Sequence, residues 1–206
     1  MGIFNKFAVV LGCTAMLGLT GCETFGPPAE SLKAQPASDY EYIIGPGDQL
    51  NVFVWRQPEL SQAIPVRPDG KISVPLVEDL QASGKTATEL AREIEEVLSQ
   101  YVKEPLATVI VQGFVGEYSE QIRVVGEAAE PRALPYRRDM TILDVMIAVG
   151  GLTEFADGNQ ARLVRRTGSG ELQAQVRLDD LLRDGDISAN IAVAPGDIVI
   201  IPEAWF

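Results

Sequence analysis

Residues 42–55 have the sequence Tyr42-Ile-Ile-Gly-Pro-Gly-Asp-Gln-Leu-Asn-Val-Phe-Val-Trp55. The Gly-Pro-Gly-Asp segment is typical of a tight turn, and the β-branched and aromatic residues after it predict a strand over residues 50–55. The arrangement returns near the end of the chain, where Pro195-Gly196-Asp197 precedes an apolar run. In such turns an Asp carboxylate can accept hydrogen bonds from nearby backbone amides. We therefore interpret Asp48 and Asp197 as structural residues.

A second turn motif follows in residues 64–75, where Pro68-Asp69-Gly70 lies between two short alternating segments. Gly70 can adopt the positive φ that a tight turn needs, so the segment predicts a β-hairpin. The prolines at the ends of this hairpin cannot donate ladder hydrogen bonds, which favours a sheet edge or a bend. A neighbouring subunit can cover an edge of this kind.

An amphipathic helix is predicted after Thr86. Thr86 and Glu89 have the spacing of a capping box, and apolar residues then recur on one helical face up to about Val102. This face comprises Leu90, Ile94, Val97, Leu98 and Tyr101. Pro105 ends the helix, and the β-branched residues 106–112 predict another strand. Residues 40–113 are therefore predicted to form one small domain.

A second domain is predicted over residues 120–202, because the pattern breaks after Gly113. Thr141 and Asp144 have the spacing of a helix cap and its third residue, and Ile142, Val145, Met146 and Val149 form the apolar face of a short helix. The other predicted elements are a strand over residues 121–126, a helix stop at Gly150-Gly151, two strands around a turn at residues 167–170, and a last strand before Pro202. The predicted fold class is α+β, with two small, mostly β domains.

The N-terminal segment predicts export. Lys6 precedes an apolar run over residues 7–19, and small residues stand just before Cys22, as in a signal peptide. The run is shorter than the ~20 residues that a membrane-spanning helix needs. Leu19-Thr20-Gly21-Cys22 also fits the lipobox pattern. We therefore predict that residues 1–21 are removed and that Cys22 carries a diacylglycerol.

The residues after the lipobox predict a tether and a location. Residues 22–39 have few large apolar side chains and several Pro, Ala and Ser, which is typical of a flexible linker. Glu23, rather than Asp, follows the cysteine, and by the usual sorting pattern this points to the outer membrane. The alternative is an ordinary secretory peptide with a chance cysteine.

The composition argues against several classes of protein. The chain has 17 Lys and Arg against 29 Asp and Glu, a formal charge of −12, which argues against nucleic acid as a partner. It has no histidine, the usual general base near neutral pH and the usual zinc ligand. Cys13 lies in the removed segment, so Cys22 is the one thiol of the mature chain and no intramolecular disulfide can form. We predict no catalytic residue, no metal site, no cofactor and no enzymatic activity.

Three motifs that could suggest a ligand are interpreted as structural. Gly84-Lys85-Thr86 looks like the end of a phosphate-binding loop, but Asp79 stands where that loop needs a Gly. Thr86 is better explained as a helix cap. The remaining two motifs are acidic clusters. Asp179, Asp180, Asp184 and Asp186 are interpreted as a solvated turn, and Glu93, Glu95 and Glu96 as the polar side of the first helix.

Two basic doublets and a few aromatic residues could contact a glycan. Arg137-Arg138 and Arg165-Arg166 could bind an acidic glycan or a carboxylate of a neighbour, although pairing within the fold is an equally good interpretation. The aromatic candidates for stacking on sugar rings are Trp55, Tyr101, Tyr136 and Trp205. Aromatic side chains in strands and helix faces mostly fill cores, so only Trp205 is predicted to be free.

Several of these stretches resemble a known family, the outer-membrane polysaccharide export lipoproteins of the Wza-like group. Residues 42–55, the run Val66-Arg-Pro-Asp-Gly-Lys-Ile-Ser-Val-Pro75, and Gly84-Lys-Thr before the helix resemble its polysaccharide export domain. Residues 122–126, 141–152 and 195–202 resemble one soluble ligand-binding β-grasp (SLBB) domain. The resemblance implies rings of identical subunits, commonly octameric in the family, that enclose a passage for capsule or exopolysaccharide. It also implies an inner-membrane chain-length-determining protein as partner and a lipid-anchored position on the outer membrane, facing the periplasm.

Only residues 203–206 follow Pro202, whereas larger members of the family continue into a pore-lining helix. Four residues cannot cross a hydrocarbon core of about 30 Å at ~1.5 Å per residue. We therefore expect a separate outer-membrane pore protein. Short chains that end near Trp-Phe resemble the family members of exosortase-associated exopolysaccharide systems.

Three functional hypotheses remain at this point. The first is a non-enzymatic conduit for polysaccharide, and the second is a monomeric envelope lipoprotein whose β-grasp domain holds a glycan without transporting it. Oligomeric state separates these two. A carboxylate-based glycan lyase or hydrolase is the third, but it needs two acids across a cleft and the sequence nominates no such pair.

Overall fold

The computed structural model describes residues 40–168 and 170–205. The predicted signal peptide, the tether and Cys22 lie outside these ranges. Runs of strands with three α-helices between them make up the described chain, and the sheets are small, which confirms the predicted α+β class. None of the helices in these ranges combines the length and the apolar character of a membrane span.

The first half of the described chain contains five strands and one α-helix. These are β1 (Gln49–Val54), β2 (Gln62–Pro65), β3 (Lys71–Val74), β4 (Val77–Gln81), α1 (Ala87–Leu98) and β5 (Ala107–Gly113). β1 is the centre of an antiparallel sheet with the order β2-β1-β5. Leu50, Val52 and Val54 point into the core and alternate with exposed or partly exposed residues, as a half-buried strand requires. The strand predicted after the first Pro-Gly-Asp turn is therefore confirmed.

The predicted hairpin over residues 64–75 is wrong. The turn itself forms, with the Gly70 amide donating to the Arg67 carbonyl at 2.8 Å. Beyond it the strands separate, because β2 pairs with β1 and β3 pairs with β4. Pro65 and Pro68 have no N–H to donate to a shared ladder, and Ile64 gains a buried place opposite Leu50. β4 was not predicted.

Helix α1 begins as predicted and ends earlier. Thr86 accepts a hydrogen bond from the Glu89 amide, and the Glu89 carboxylate accepts from the Thr86 amide at 2.8 Å, which completes the capping box. Leu90, Ile94 and Leu98 are fully buried, but the helix stops at Leu98. Tyr101 therefore lies beyond the apolar face to which it was assigned, and it is exposed.

The second half of the described chain contains five strands and two α-helices. These are β6 (Ile122–Gly126), β7 (Ala133–Leu134), α2 (Ile142–Ala148), β8 (Ala161–Thr167), β9 (Gly170–Val176), α3 (Leu178–Leu182) and β10 (Ile198–Ile201). They form one sheet with the order β7-β6-β10-β8-β9. The last strand, β10, lies in the middle, parallel to β6 and antiparallel to β8. The predicted strands and the predicted Thr141 cap of α2 are present.

The two halves have separate hydrophobic cores. One core joins the sheet of β1 to α1, and the other joins the sheet of β10 to α2 and α3. Tyr40 precedes β1 but packs against the second core. The chain between the halves, residues 114–121, is called the junction linker below.

Candidate functional site

The Asp48 carboxylate holds the junction linker against the first half of the chain. It is fully buried and accepts hydrogen bonds from the backbone amides of Val115 at 2.6 Å and Gly116 at 2.9 Å. It also accepts from the amide of Gly45, in its own turn, at 3.0 Å. The structural role predicted for Asp48 is confirmed, and one residue thereby joins the turn before β1 to the linker.

Glycine is needed where the turn meets the linker. A Cβ on Gly45 would overlap the backbone carbonyl group of Gly116. The second Pro-Gly-Asp turn approaches the same linker, and a Cβ on Gly196 would contact the Ser119 carbonyl oxygen. Both turns therefore pack against the junction linker through glycine, which leaves room for the backbone.

Asp197 performs the corresponding role in the second half with a different partner. Its buried carboxylate accepts from the Ala194 amide at 2.7 Å and forms a two-point ion pair with Arg165, at 2.9 Å to Nε and 2.7 Å to Nη2. Arg165 is also buried. The predicted structural role of Asp197 is confirmed, and pairing within the fold is the correct interpretation of Arg165.

Beside the junction linker, the structure brings together four aromatic rings and two guanidinium groups. They surround a cavity of about 640 Å³, called the junction cavity, which is lined by Tyr40, Tyr42, Phe114, Tyr136, Arg137 and Arg138. The rings stand edge to face in two pairs. Centroids lie 4.9 Å apart for Tyr40 and Tyr136, and 5.2 Å apart for Tyr42 and Phe114.

Both tyrosine hydroxyls at the N-terminal side of the cavity are engaged by carboxylates. Tyr42 donates to Asp48 at 2.8 Å, and Tyr40 donates to Glu120 at 3.1 Å. Burial raises the pKa of Tyr42, and the hydrogen bond to Asp48 raises it further. Burial likewise raises the pKa of Tyr40, with the charge of Glu120 adding to the effect. Both residues therefore stay protonated near neutral pH, and their rings are held in place.

The two arginines of the cavity differ in their partners. Arg138 donates to the Tyr40 carbonyl oxygen and so connects the second half to the start of the described chain. Arg137 is exposed, and its guanidinium has no ion-pair or hydrogen-bond partner within residues 40–168 and 170–205. Of the two predicted doublets, Arg137-Arg138 therefore lies at the cavity, whereas Arg165-Arg166 is paired with Asp197 and, at 3.6 Å, Glu171.

The aromatic candidates are distributed differently from the prediction. Tyr136 is buried, as expected, and Trp205 is 99% exposed, as expected. Trp55 and Tyr101 were expected in the core, but 56% and 62% of their surface is exposed. Trp55 lies past the end of β1, beside exposed Phe53 at a centroid distance of 6.4 Å, and none of the described residues buries the two rings.

The predicted acidic clusters are largely paired. Asp179 and Asp180 contact Arg183 and Arg177, and Asp186 contacts Arg177 at 3.1 Å. Asp184 is exposed, and the side chains of Asp180 and Asp186 are partly exposed beside Arg177, so the segment is a turn with surface ion pairs. On α1, Glu95 accepts from the Ala107 amide at 2.8 Å and so ties the helix to β5. In the described part of the chain, no group of three or more His, Cys, Asp or Glu residues could hold a metal ion.

Sequence reasoning did not find Tyr40, Tyr42 and Phe114. Tyr42 stood in the quoted strand motif, but nothing local indicated that its hydroxyl reaches Asp48. Phe114 lies in an irregular segment without periodicity. A clue was available in Tyr136-Arg137-Arg138, where an aromatic residue and two cations are adjacent. The tyrosines that complete the cluster come from about a hundred residues earlier in the chain. Arg138 and Tyr40, for example, are 98 positions apart.

Two family models match the chain in the order of its two halves. Residues 36–112 match the model described as "Polysaccharide biosynthesis/export protein", and residues 121–176 match the SLBB domain. The chain is 28% identical over 187 residues to the EPS I polysaccharide export outer membrane protein EpsA of Ralstonia nicotianae, covering 79% of this chain and 47% of that protein. It is 31% identical over 178 residues to the exopolysaccharide production protein ExoF of Rhizobium meliloti. This match covers 79% of this chain and 41% of that protein.

A third relative is the polysialic acid transport protein KpsD of Escherichia coli, 23% identical over 193 residues, which cover 90% of this chain and 32% of that protein. The chain thus spans less than half the length of these relatives. The matching segments place this chain among proteins that combine a polysaccharide export segment with an SLBB domain. The chain belongs to the Wza-like polysaccharide export family, as its motifs predict, and this is a family of export proteins rather than enzymes.

Proposed function

We propose that this protein is a subunit of a ring-shaped conduit that exports capsule or exopolysaccharide. The observation that carries the proposal is that one chain contains both the export domain and the SLBB domain, in that order. The Asp48 carboxylate joins the first domain to the linker that leads into the second. A fixed junction of this kind suits a subunit that must repeat the same geometry around a ring.

We propose a domain division on the same grounds. We place the export domain at residues 40–113 and the SLBB domain at residues 120–202. The two separate hydrophobic cores support this division, and so does the position of the junction linker between β5 and β6.

An exposed apolar surface supports self-association. The outer face of the first sheet carries Phe53, Trp55, Leu106 and Ile110, called the outer sheet face below. Phe53 and Ile110 come from the adjacent strands β1 and β5, and the Trp55 amide donates to the Leu106 carbonyl at 2.9 Å. A contiguous apolar patch on a folded domain is typical of a protein interface. We assign a second copy of this chain to it.

Anchoring and partners complete the proposal. A diacylglycerol on Cys22 would hold the ring at the outer membrane, on its periplasmic side, and an inner-membrane chain-length-determining protein would deliver the polymer. The Ralstonia nicotianae relative, which is named as a polysaccharide export outer membrane protein, supports this location. A variant with Cys22→Ala should leave the membrane fraction and lose export while keeping its fold.

The first test is the mass of the detergent-extracted protein by light scattering. We expect one large discrete species, and we expect the double variant Phe53→Ser with Ile110→Ser to shift it to smaller species. Ile187→Ser is the control, because Ile187 is also an exposed apolar residue but lies outside the outer sheet face. A wild-type monomer at all concentrations would contradict the ring.

The second candidate function is a monomeric envelope lipoprotein that binds glycan without transporting it. The junction cavity favours it, because a cavity with aromatic walls and cations can hold a sugar. Export measured in cells separates the two candidates. Loss of surface polysaccharide in a deletion strain, restored by the wild-type chain, supports export, whereas normal surface polysaccharide supports the binding protein.

A further inference from the structure

The junction cavity differs in charge from the rest of the molecule. The chain has a formal charge of −12, yet the residues that line this cavity include two arginines and no acid. Two nearby carboxylates, Asp48 and Glu120, accept hydrogen bonds from the Tyr42 and Tyr40 hydroxyls. An anion that enters the cavity therefore meets two guanidinium groups and no carboxylate on the lining itself.

We propose that the junction cavity binds an acidic sugar, a residue that carries a carboxylate, within the polysaccharide. This inference rests on the proposed export function for the source of its ligand, and it adds the substrate class and the site. It concerns a contact within one subunit, so it can be measured whether or not the ring forms.

The aromatic walls provide the first half of the recognition. Because Tyr40 and Tyr42 direct their hydroxyls to Glu120 and Asp48, they present ring surface rather than polar groups to the cavity. Phe114 is exposed and stands nearly perpendicular to Tyr42, at 88°. The apolar C–H face of a pyranose can pack on such rings. A cavity of about 640 Å³ is in the range that holds small ligands.

Arg137 provides the second half. Its guanidinium has no ion-pair or hydrogen-bond partner among the described residues, so both of its donor edges are available. A guanidinium and a carboxylate match in geometry and form two parallel charge-assisted hydrogen bonds. Arg138 adds charge, but its donation to the Tyr40 carbonyl gives it a positioning role.

A neighbouring space of about 580 Å³ shares Pro135, Arg137 and Arg138 with the junction cavity, and its lining also includes Arg132, Asp139 and Asp144. The lining of the junction cavity differs in having four aromatic rings and no carboxylate. We therefore place the acidic sugar in the junction cavity.

The test is calorimetric titration of the purified full chain with trigalacturonate, an acidic trisaccharide, and with maltotriose, a neutral one. We expect binding of trigalacturonate and at least tenfold weaker binding of maltotriose. Arg137→Gln should weaken trigalacturonate binding by roughly tenfold or more, since it removes charge-assisted hydrogen bonds. Arg137→Lys should restore only part of the affinity, because an ammonium lacks the two-point geometry.

Arg166→Gln is the matched control. It removes the same charge from the same domain. The Arg166 side chain is exposed, and its contact with Glu171, at 3.6 Å, is a surface ion pair. Its affinity for trigalacturonate should equal that of the wild type, and thermal melting should show that all variants are folded. Four outcomes would each overturn the proposal. They are equal binding of both trisaccharides, no binding of either, an equal loss of affinity in the Arg137→Gln and Arg166→Gln variants, and full displacement of trigalacturonate by inorganic phosphate. A monomer that binds trigalacturonate would contradict the proposed ring but would leave the proposed sugar site intact.

Discussion

The Asp48 carboxylate and the Gly116 amide lie 68 positions apart in the chain and 2.9 Å apart in space. This hydrogen bond connects the turn before the first strand to the linker between the domains. The orientation of the linker therefore depends on a hydrogen bond to a residue that is distant in the chain.

Asp48→Ala should destabilise the protein strongly. The change leaves the amides of Gly45, Val115 and Gly116 without their acceptor in a buried place, and unsatisfied groups of this kind cost about 3 kcal/mol or more in total. The free energy of unfolding in urea, followed by circular dichroism, measures the loss. Asp184→Ala, at an exposed carboxylate, should change stability by less than about 0.5 kcal/mol. Equal effects of the two substitutions would contradict the role of Asp48.

Gly45→Ala should destabilise the protein through sterics alone. The added methyl group would overlap the Gly116 carbonyl, and the backbone must move apart to admit it, at a cost of about 2 kcal/mol. Gly168→Ala is the control, since nothing lies within 4 Å of a Cβ at that position. Melting temperatures of the two variants provide the comparison. A Gly45→Ala protein as stable as the Gly168→Ala protein would show that the two backbones are not in close contact.

The ion pair of Arg165 and Asp197 should behave as a buried pair. Arg165→Met leaves the Asp197 carboxylate buried without its cation, and breaking such a pair typically costs about 3–5 kcal/mol. The double variant with Asp197→Asn should recover part of that loss, which a double-mutant cycle of unfolding free energies would show. Arg166→Met removes an exposed cation and should cost no more than about 1 kcal/mol. A cycle without coupling would contradict the pair.

The Asp144 carboxylate should make helix α2 sensitive to acid. The hydrogen bond from the Thr141 hydroxyl, followed by that from the Thr141 amide, lowers the pKa of Asp144 below its ordinary value of 3.8. A lowered pKa in the folded state contributes stability above the unfolded value, and this contribution is lost as the pH falls through the folded value. Asp144→Asn should therefore lower the melting temperature at pH 7 and have less effect at acidic pH. A difference that stays constant with pH would contradict this linkage, and Asp184→Asn serves as the control.

Local patterns predicted much of the fold. The strand after Asp48, the capping boxes of Thr86 and Thr141, and the two strands around residues 167–170 form as expected. Each depends on a turn or a cap whose chemistry is complete within a few residues. The hairpin over residues 64–75 failed because strand pairing is not local. Ile64 found a buried partner on β1, and the prolines prevented a ladder with β3.

The candidate site was predicted only in part. Arg137-Arg138 and Tyr136 were identified as glycan candidates, and both parts of this cluster lie at the junction cavity. Trp55 and Tyr101 were assigned to the core and proved exposed. Burial depends on whether another layer covers the strand or the helix end, and residue type alone does not reveal that layer.

By itself, the sequence determined the family, the α+β class, the helix caps and the structural role of the two Pro-Gly-Asp turns, because each of these is written in a few adjacent residues. Only the tertiary structure decided which amides Asp48 would bind, which arginine would be paired, and which aromatic rings would meet. The physical reason is that a hydrogen bond, an ion pair or a ring contact requires proximity in space. Tyr40 and Arg138 acquire that proximity only when both cores have folded on either side of the junction linker.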